Sequence, residues 1–203
     1  IMGRSQNSRN RVFAAEGDGL RTQAYDPALL ADPSLIIYAP LRAAGEITIV
    51  SNGDHTDDIQ ATLIQGQGWE QALRSRCYEP DAPHYTPRIS GLLQRQGAGF
   101  SYALSILKRD QNGGCLRFFY EYAEPAPGTG HLIHTYRETT APDAPLLSFA
   151  GEPPALAFAG DIGEAAAGLW QALDAENRVS LFLRYIGLDG ISASRIINQN
   201  GGS

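Results

Sequence analysis

Within the run Ser51-Asn52-Gly53-Asp54-His55-Thr56-Asp57-Asp58-Ile59, amide, imidazole, hydroxyl and carboxylate groups fall inside the six positions from Asn52 to Asp57. Such a density of polar groups is costly to bury without partners, so the run reads as a solvated turn or a ligand site. His55, with an ordinary pKa of ~6.5, is a candidate proton-transfer group near neutrality. Asp54, His55 and Asp57 could hold a metal, but their spacing matches no strong metal motif. Thr56 and Asp57 also suit a helix N-terminus with no ligand at all, and spacing alone leaves both readings open.

Three further constellations could carry chemistry. Gly3-Arg4-Ser5-Gln6-Asn7-Ser8-Arg9-Asn10-Arg11 offers three arginines, two serines and a glycine, a set suited to an anion or to a solvated basic turn. In Tyr85-Thr86-Pro87-Arg88-Ile89, Pro87 restricts Thr86 to extended backbone and sets Arg88 at a strand entrance, facing a cleft or solvent. In Phe118-Phe119-Tyr120-Glu121-Tyr122, aromatic alternation fits a half-buried strand, with Glu121 either an acid at the sheet face or a solvated carboxylate. His131 and His134 fall on opposite sides of a strand and cannot share a metal there.

These residues need elements to hold them. The pattern predicts a strand over Leu35–Arg42, with Pro40 at an edge or bulge, and a return strand over Glu46–Val50. Thr56 is expected to cap a helix through Ile59, Leu63 and Ile64; a second helix runs from Trp69 to about Cys77. Pro80, Pro83 and Pro87 mark an irregular stretch. Strands follow over Ile89–Gln94, Gly99–Lys108, Cys115–Tyr122 and His131–Glu138, separated by glycine-bearing turns. Thr139–Pro154 reads as a surface loop, Asp161–Leu173 as a helix and Val179–Ile186 as a final strand. Ile1 already looks like part of a strand, so native residues are expected to precede it. Hairpin-linked strands with helices grouped between them point to α+β, with largely antiparallel sheets in a single domain over 1–203.

Composition narrows the function classes. The chain has 203 residues, 43% hydrophobic and 19% charged, as in a globular protein. A net charge of -6 argues against general nucleic-acid affinity, though local arginines can still hold a small anion. Lys108 is the sole lysine; lineage bias explains that, or some arginines are bidentate anion binders. Cys77 and Cys115 fit neither a metal spacing nor a disulfide framework and read as ordinary thiols of a reducing cytoplasm. No run of eighteen apolar residues and no signal peptide is visible, so no membrane partner is expected. No P-loop, dinucleotide fingerprint or Gly-x-Ser-x-Gly motif is present.

Together these segments resemble the archaeal-type IMP cyclohydrolase family and its bacterial IMP cyclohydrolase-like members. The matches are GRSQNSRNR at Gly3–Arg11, Tyr38 in LIIY, SNGDHTD at Ser51–Asp57 and YTPRI at Tyr85–Ile89, in order and at similar spacing. The likeness is good over the first half and looser beyond Ile89, where Tyr120-Glu121 is the best anchor. It implies a four-layer αββα sandwich like that of N-terminal-nucleophile hydrolases, without an N-terminal nucleophile. It also implies ring closure of 5-formamidoimidazole-4-carboxamide ribonucleotide (FAICAR) to IMP with loss of water in purine biosynthesis. Such an enzyme is a hydrolase acting on a cyclic amidine C–N bond, needs no cofactor or metal, and is compatible with a homo-oligomer.

On that resemblance Arg4, Ser5 and Arg9 bind the 5′-phosphate, and Asn52 and Thr86 orient base or ribose. Tyr38 and Arg88 polarise the formyl or carboxamide oxygen; His55 and Glu121 are candidates for proton transfer, with an orienting role as the alternative for His55. Asp54 is not placed in the chemistry. The family pattern has Asn where this chain has Tyr85, so no role is carried over there. Two other readings stay open: a purine-nucleotide-binding protein that has lost turnover, and a different amidohydrolase on the same fold.

Overall fold

Seven strands follow one another in sequence order across a single antiparallel sheet: β1 (Arg11–Glu16), β2 (Gly19–Ala24), β3 (Leu41–Ala44), β4 (Ile47–Ser51), β5 (Arg88–Gln96), β6 (Gly99–Arg109) and β7 (Cys115–Tyr122). The computed structural model describes residues 1–137, 146–158 and 160–201. Alternation sets the two faces of the sheet. Ile49 on β4 stands opposite Leu92 on β5, which stands opposite Ala103 on β6. This face packs on α2 (His55–Ile64) and α3 (Trp69–Arg74), burying Ile49, Ile59, Trp69, Leu73, Leu92 and Leu107. Burying each such side chain fully is worth about 1.5–3 kcal/mol. The Trp69 ring meets Phe119 edge-on at 5.4 Å.

On the other face, Phe13, Leu20 and Leu41 pack with Phe182 and Ile196 of a second antiparallel sheet, β10 (Ser180–Ile186) and β11 (Ser192–Asn198). Helix α4 (Ile162–Ala172) lies against that pair, its N-terminus capped by Asp161, whose carboxylate accepts from Gly163 N and Glu164 N. A short third pair joins β8 (Thr129–His131) to β9 (Ala155–Ala157). The molecule is thus mixed α/β with antiparallel sheets and few helices. Among the described residues no helix is long and apolar enough to cross a membrane.

Strands β4 to β7, helices α2 to α4 and the turns near Gly97 and Gly113 lie where the sequence predicts them. Several expectations need correction. Leu35–Tyr38 is not strand: Ile36 N and Ile37 N both donate to Pro33 O in a turn, and Pro40 has no N–H to extend a ladder. Thr56 is not the cap of α2 but lies inside it, its hydroxyl donating to Gly53 O at 3.0 Å. His131–Glu138 is not a strand beyond His131; Pro153 and Pro154, on the segment beside it, lack ladder donors. Glu138, like part of the Thr139–Pro154 stretch, lies outside the described residues. Farther along that stretch Phe149 is buried, so it is not simply a surface loop. Val179–Ile186 is not the last strand, because β11 follows. Near the start, Met2 makes only an isolated bridge to Arg178. The β1–β2 hairpin was not expected either; it turns on Gly17-Asp18, with Gly17 at φ +57.

Candidate active site

Five segments converge at one end of the main sheet. The first is the N-terminal arm. Ser5 caps α1 (Gln6–Arg9) in a reciprocal capping box with Ser8. Arg9 Nε donates to Gly3 O and Arg9 Nη2 to Asn177 Oδ1, each at 2.9 Å, so this guanidinium holds the arm in shape. Arg11 is buried at the start of β1, its Nε donating to Ser8 O at 2.8 Å. Arg4, by contrast, is exposed; its guanidinium lies 5.5 Å from the centre of the Tyr136 ring.

The second segment carries Tyr38. Fully buried Thr22 clamps it to β2: Thr22 N donates to Tyr38 O at 2.9 Å, and Tyr38 N donates to Thr22 Oγ1 at 2.8 Å. Burial pushes the Tyr38 phenol up, while nearby Arg11 counters it. The phenol is therefore a neutral O–H donor at ordinary pH.

The third segment is the β4–α2 turn. Ser51 Oγ donates to Gly53 O at 2.9 Å and meets Thr56 Oγ1. Asn52 works as a clamp: its side-chain amide donates to Pro87 O at 2.9 Å and its Oδ1 accepts from Ile89 N at 2.8 Å. A Cβ on Gly53 would stand 2.6 Å from Arg88 Nη1, so a larger residue there has to displace that guanidinium. Asp54 accepts from Arg88 Nη1 at 2.7 Å and from Arg76 Nη1 at 2.9 Å. Burial pushes the Asp54 carboxyl up, but Arg88 and Arg76 outweigh it and hold it below the usual carboxylate range.

His55 is fully buried. Its Nε2 lies 3.1 Å from Ser90 Oγ and 3.3 Å from Ile89 O, and its Nδ1 lies 3.3 Å from Arg88 Nη1. A guanidinium can only donate, which makes Nδ1 the acceptor and Nε2–H the donor. Burial, then the neighbouring Arg88, lowers its pKa to about 4. At neutral pH His55 is an uncharged strut between β5 and Arg88.

The fourth and fifth segments are residues 78–88 and the Tyr136 region. Thr86 Oγ1 donates to Asp81 Oδ2 and meets the Tyr136 hydroxyl at 2.7 Å. Tyr85 has a left-handed φ of +47, a conformation easier for Asn than for Tyr. Its ring is braced edge-on by Tyr78 and stacked by Arg109, 4.1 Å from the ring centre. Arg88 enters at the head of β5, as Pro87 predicts. Its Nη1 is also 3.9 Å from Glu79 Oε1. Glu79 is buried beside the Gly53 turn and was not selected from sequence. Among the described residues no group of three or more His, Cys, Asp or Glu side chains is placed to hold a metal.

Chemically, this end of the sheet offers donors fixed in advance: a buried guanidinium, a neutral phenol and a more exposed arginine on the arm. Such a set can receive developing charge on an oxygen without rearrangement. A family model described as IMP cyclohydrolase-like protein matches residues 1–190. The chain belongs to that family. It is similar to the IMP cyclohydrolase of Methanothrix thermoacetophila, 33% identical over 139 residues, which cover 66% of this chain and 64% of that protein. The IMP cyclohydrolase of Methanopyrus kandleri is 26% identical over 133 residues, 64% of this chain and 62% of that protein. That of Haloquadratum walsbyi is 26% identical over 152 residues, 73% of this chain and 69% of that protein. The chain thus spans a little under two thirds of the first two relatives it matches.

In this IMP cyclohydrolase-like chain the fold gathers Tyr38, Asn52, His55, Thr86 and Arg88, with Arg4, Ser5 and Arg9 on the adjoining arm. Glu121 is elsewhere. It stands opposite Ala103, itself opposite Leu92, four positions along β5 from Arg88 and two strands across, roughly 16 Å away by strand geometry. It lines a shallow pocket with Gly68, Glu70, Gln71, Arg74 and Phe119. Asn52→Ala is expected to lower stability by about 1–3 kcal/mol, because Ile89 N–H and Pro87 O lose their partner. The shift in the urea midpoint measures it; a midpoint within error of the parent refutes the clamp.

Proposed function

We propose that the chain catalyses closure of the second purine ring, converting FAICAR to IMP and water, as a single cyclohydrolase domain over 1–203. Membership of the IMP cyclohydrolase-like family supports this reading. The observation that carries it is the buried Arg88 guanidinium, held by Asp54 and His55 beside the Tyr38 phenol. Both reacting groups sit on one imidazole. The carboxamide nitrogen attacks the formyl carbon, and negative charge develops on the formyl oxygen. Arg88 and Tyr38 are the donors for that oxygen, each worth ~2.7–4 kcal/mol if well placed. Holding the reactive rotamer adds several kcal/mol more. His55 orients Arg88 in this scheme. Thr86 and Asn52 shape the pocket wall, and Arg4, with Ser5 and Arg9 on the same arm, receives the 5′-phosphate.

The finer architecture follows the same reading. Helices α2 and α3, the seven-stranded sheet, the β10–β11 pair and α4 form the four layers of an αββα sandwich of the N-terminal-nucleophile-hydrolase type. The packing of α2 and α3 on one sheet face, of β10–β11 on the other, and of α4 on that pair supports it. The partner is a small purine nucleotide in the cytoplasm.

The test is a spectrophotometric assay with synthetic FAICAR, since closure of the ring changes the ultraviolet absorbance. Arg4→Ala is expected to raise KM about 10-fold or more with kcat little changed. Tyr38→Phe is expected to lower kcat about 100-fold. Near-parental kinetics in both variants refutes the assignments, and tight IMP binding without turnover by the parent protein refutes the activity.

A further inference from the structure

A ring closure that loses water needs a group that takes and returns protons, and the candidates named from sequence do not supply one. His55 is sealed from solvent with both ring nitrogens engaged. Glu121 stands apart from the cluster on another stretch of the sheet. Asp54 is committed to two guanidinium groups, and Asp81 to the amide and hydroxyl of Thr86. Glu79 remains. Its backbone N–H donates to Thr86 O at 2.8 Å, which fixes its place against the Thr86–Arg88 segment. Its carboxylate lies 3.9 Å from Arg88 and beside the Gly53 turn, and among the described residues it has no hydrogen bond of its own.

Resting on the ring-closure reading above, we propose that Glu79 is the proton-transfer residue of this site. Glu79 takes the carboxamide N–H proton as the nitrogen–formyl carbon bond forms, and delivers it to the formyl oxygen. It then takes the proton of the formamido nitrogen and hands it to the departing hydroxyl. The C–O bond breaks, the C=N bond forms, water leaves, and the carboxylate is restored. No oxidant, metal or second substrate enters the balance.

The surroundings suit that task. Arg88 on β5, Arg11 on β1, Asp54 before α2, His55 at the start of α2, Asp81 on its own segment, Tyr38 before β3 and Tyr136 beyond β8 are the titratable or charged groups around it. Burial pushes the carboxyl up, Arg88 and Arg11 pull it down, and Asp81 and Asp54 add to the rise; the outcome is about 7. A group that gives and takes a proton with equal ease near neutrality is what two successive transfers require.

Glu79→Gln keeps the shape and removes the titration. The expected result is a fall in kcat of about 100-fold or more, with IMP affinity by calorimetry within about threefold of the parent. In the parent, kcat/KM falls as pH drops through about 7, and this limb is absent from any residual activity of the Gln variant. Glu79→Asp retains the limb and part of the rate. A Gln variant with near-parental kcat overturns the proposal, as does a parent profile with no limb near neutrality, which needs no variant to fold. A parent that binds IMP but never closes FAICAR overturns instead the reading beneath it.

Discussion

Arg88→Ala is expected to cost about 3 kcal/mol of stability and to abolish measurable ring closure. Arg88 is the hinge pin of the site, buried and touching Asp54, His55 and the neighbourhood of Glu79 through one nitrogen. Removing one partner of a buried ion pair typically costs ~3–5 kcal/mol. The lower end applies here because Asp54 is about half exposed, with side-chain exposure of 45%, and keeps Arg76. Glu79 then loses its principal cation and binds its proton more tightly, which moves the acid limb of any residual activity toward alkaline pH. Arg88→Lys is expected to recover part of the stability but little of the rate, because an ammonium cannot reach Asp54, the imidazole and a substrate oxygen in one plane. Urea midpoints at constant m-value and the FAICAR assay read the two effects. Equal recovery of stability and rate by lysine refutes a role for the planar fork.

The second large expectation concerns pH, where two buried groups act in opposite directions. His55 titrates near 4 in the folded chain against an ordinary value of 6.5. Its contribution is whole above 6.5 and is lost as pH falls toward 4, because only the unfolded chain then gains the proton. The span is about 3 kcal/mol. Glu79 titrates near 7 against an ordinary 4.5, so the folded chain holds a proton that the unfolded chain has released. Its contribution is whole below 4.5 and is lost as pH rises to about 7, again by about 3 kcal/mol. Between 4.5 and 6.5 the two slopes cancel in large part. Glu79→Gln leaves the His55 slope exposed, so its stability relative to the parent rises with pH. His55→Asn leaves the Glu79 slope, so its relative stability falls with pH. Urea unfolding across this range measures both difference curves, and curves parallel to the parent refute the linkage.

How far the sequence reveals this arrangement depends on how local each cause is. Strands β4 to β7 are readable because alternation and turn residues lie next to each other in the chain. Arg88 is readable for the same reason, since Pro87 alone fixes its entry. Tyr38 is recognisable as a residue but not as a loop residue: its backbone partner is Thr22, sixteen positions earlier. Glu79 is hidden among prolines in a stretch that resembles solvated loop. Its burial comes from the Gly53 turn, Arg88 and Arg11 closing round it, contacts that no spacing announces. The final strand β11 is missed although it forms a local hairpin with β10, because its first half, Ser192-Ala193-Ser194-Arg195, carries no apolar alternation.

The arm that holds Arg4 depends on a residue made much later in the chain. Gly3 N donates to Asn177 O at 2.7 Å, and Arg9 reaches the side chain of the same Asn177 across 168 positions. Strands β5 to β7, by contrast, are joined by short turns and pair with little loop entropy. During synthesis at about 5–20 residues per second, the arm waits roughly ten to thirty seconds for its anchor. The wall bearing Arg88 and Glu79 is therefore in place before the arm, which waits for Asn177, can dock. The position of Arg4 is thus set by a residue that joins the chain long after Arg4 itself.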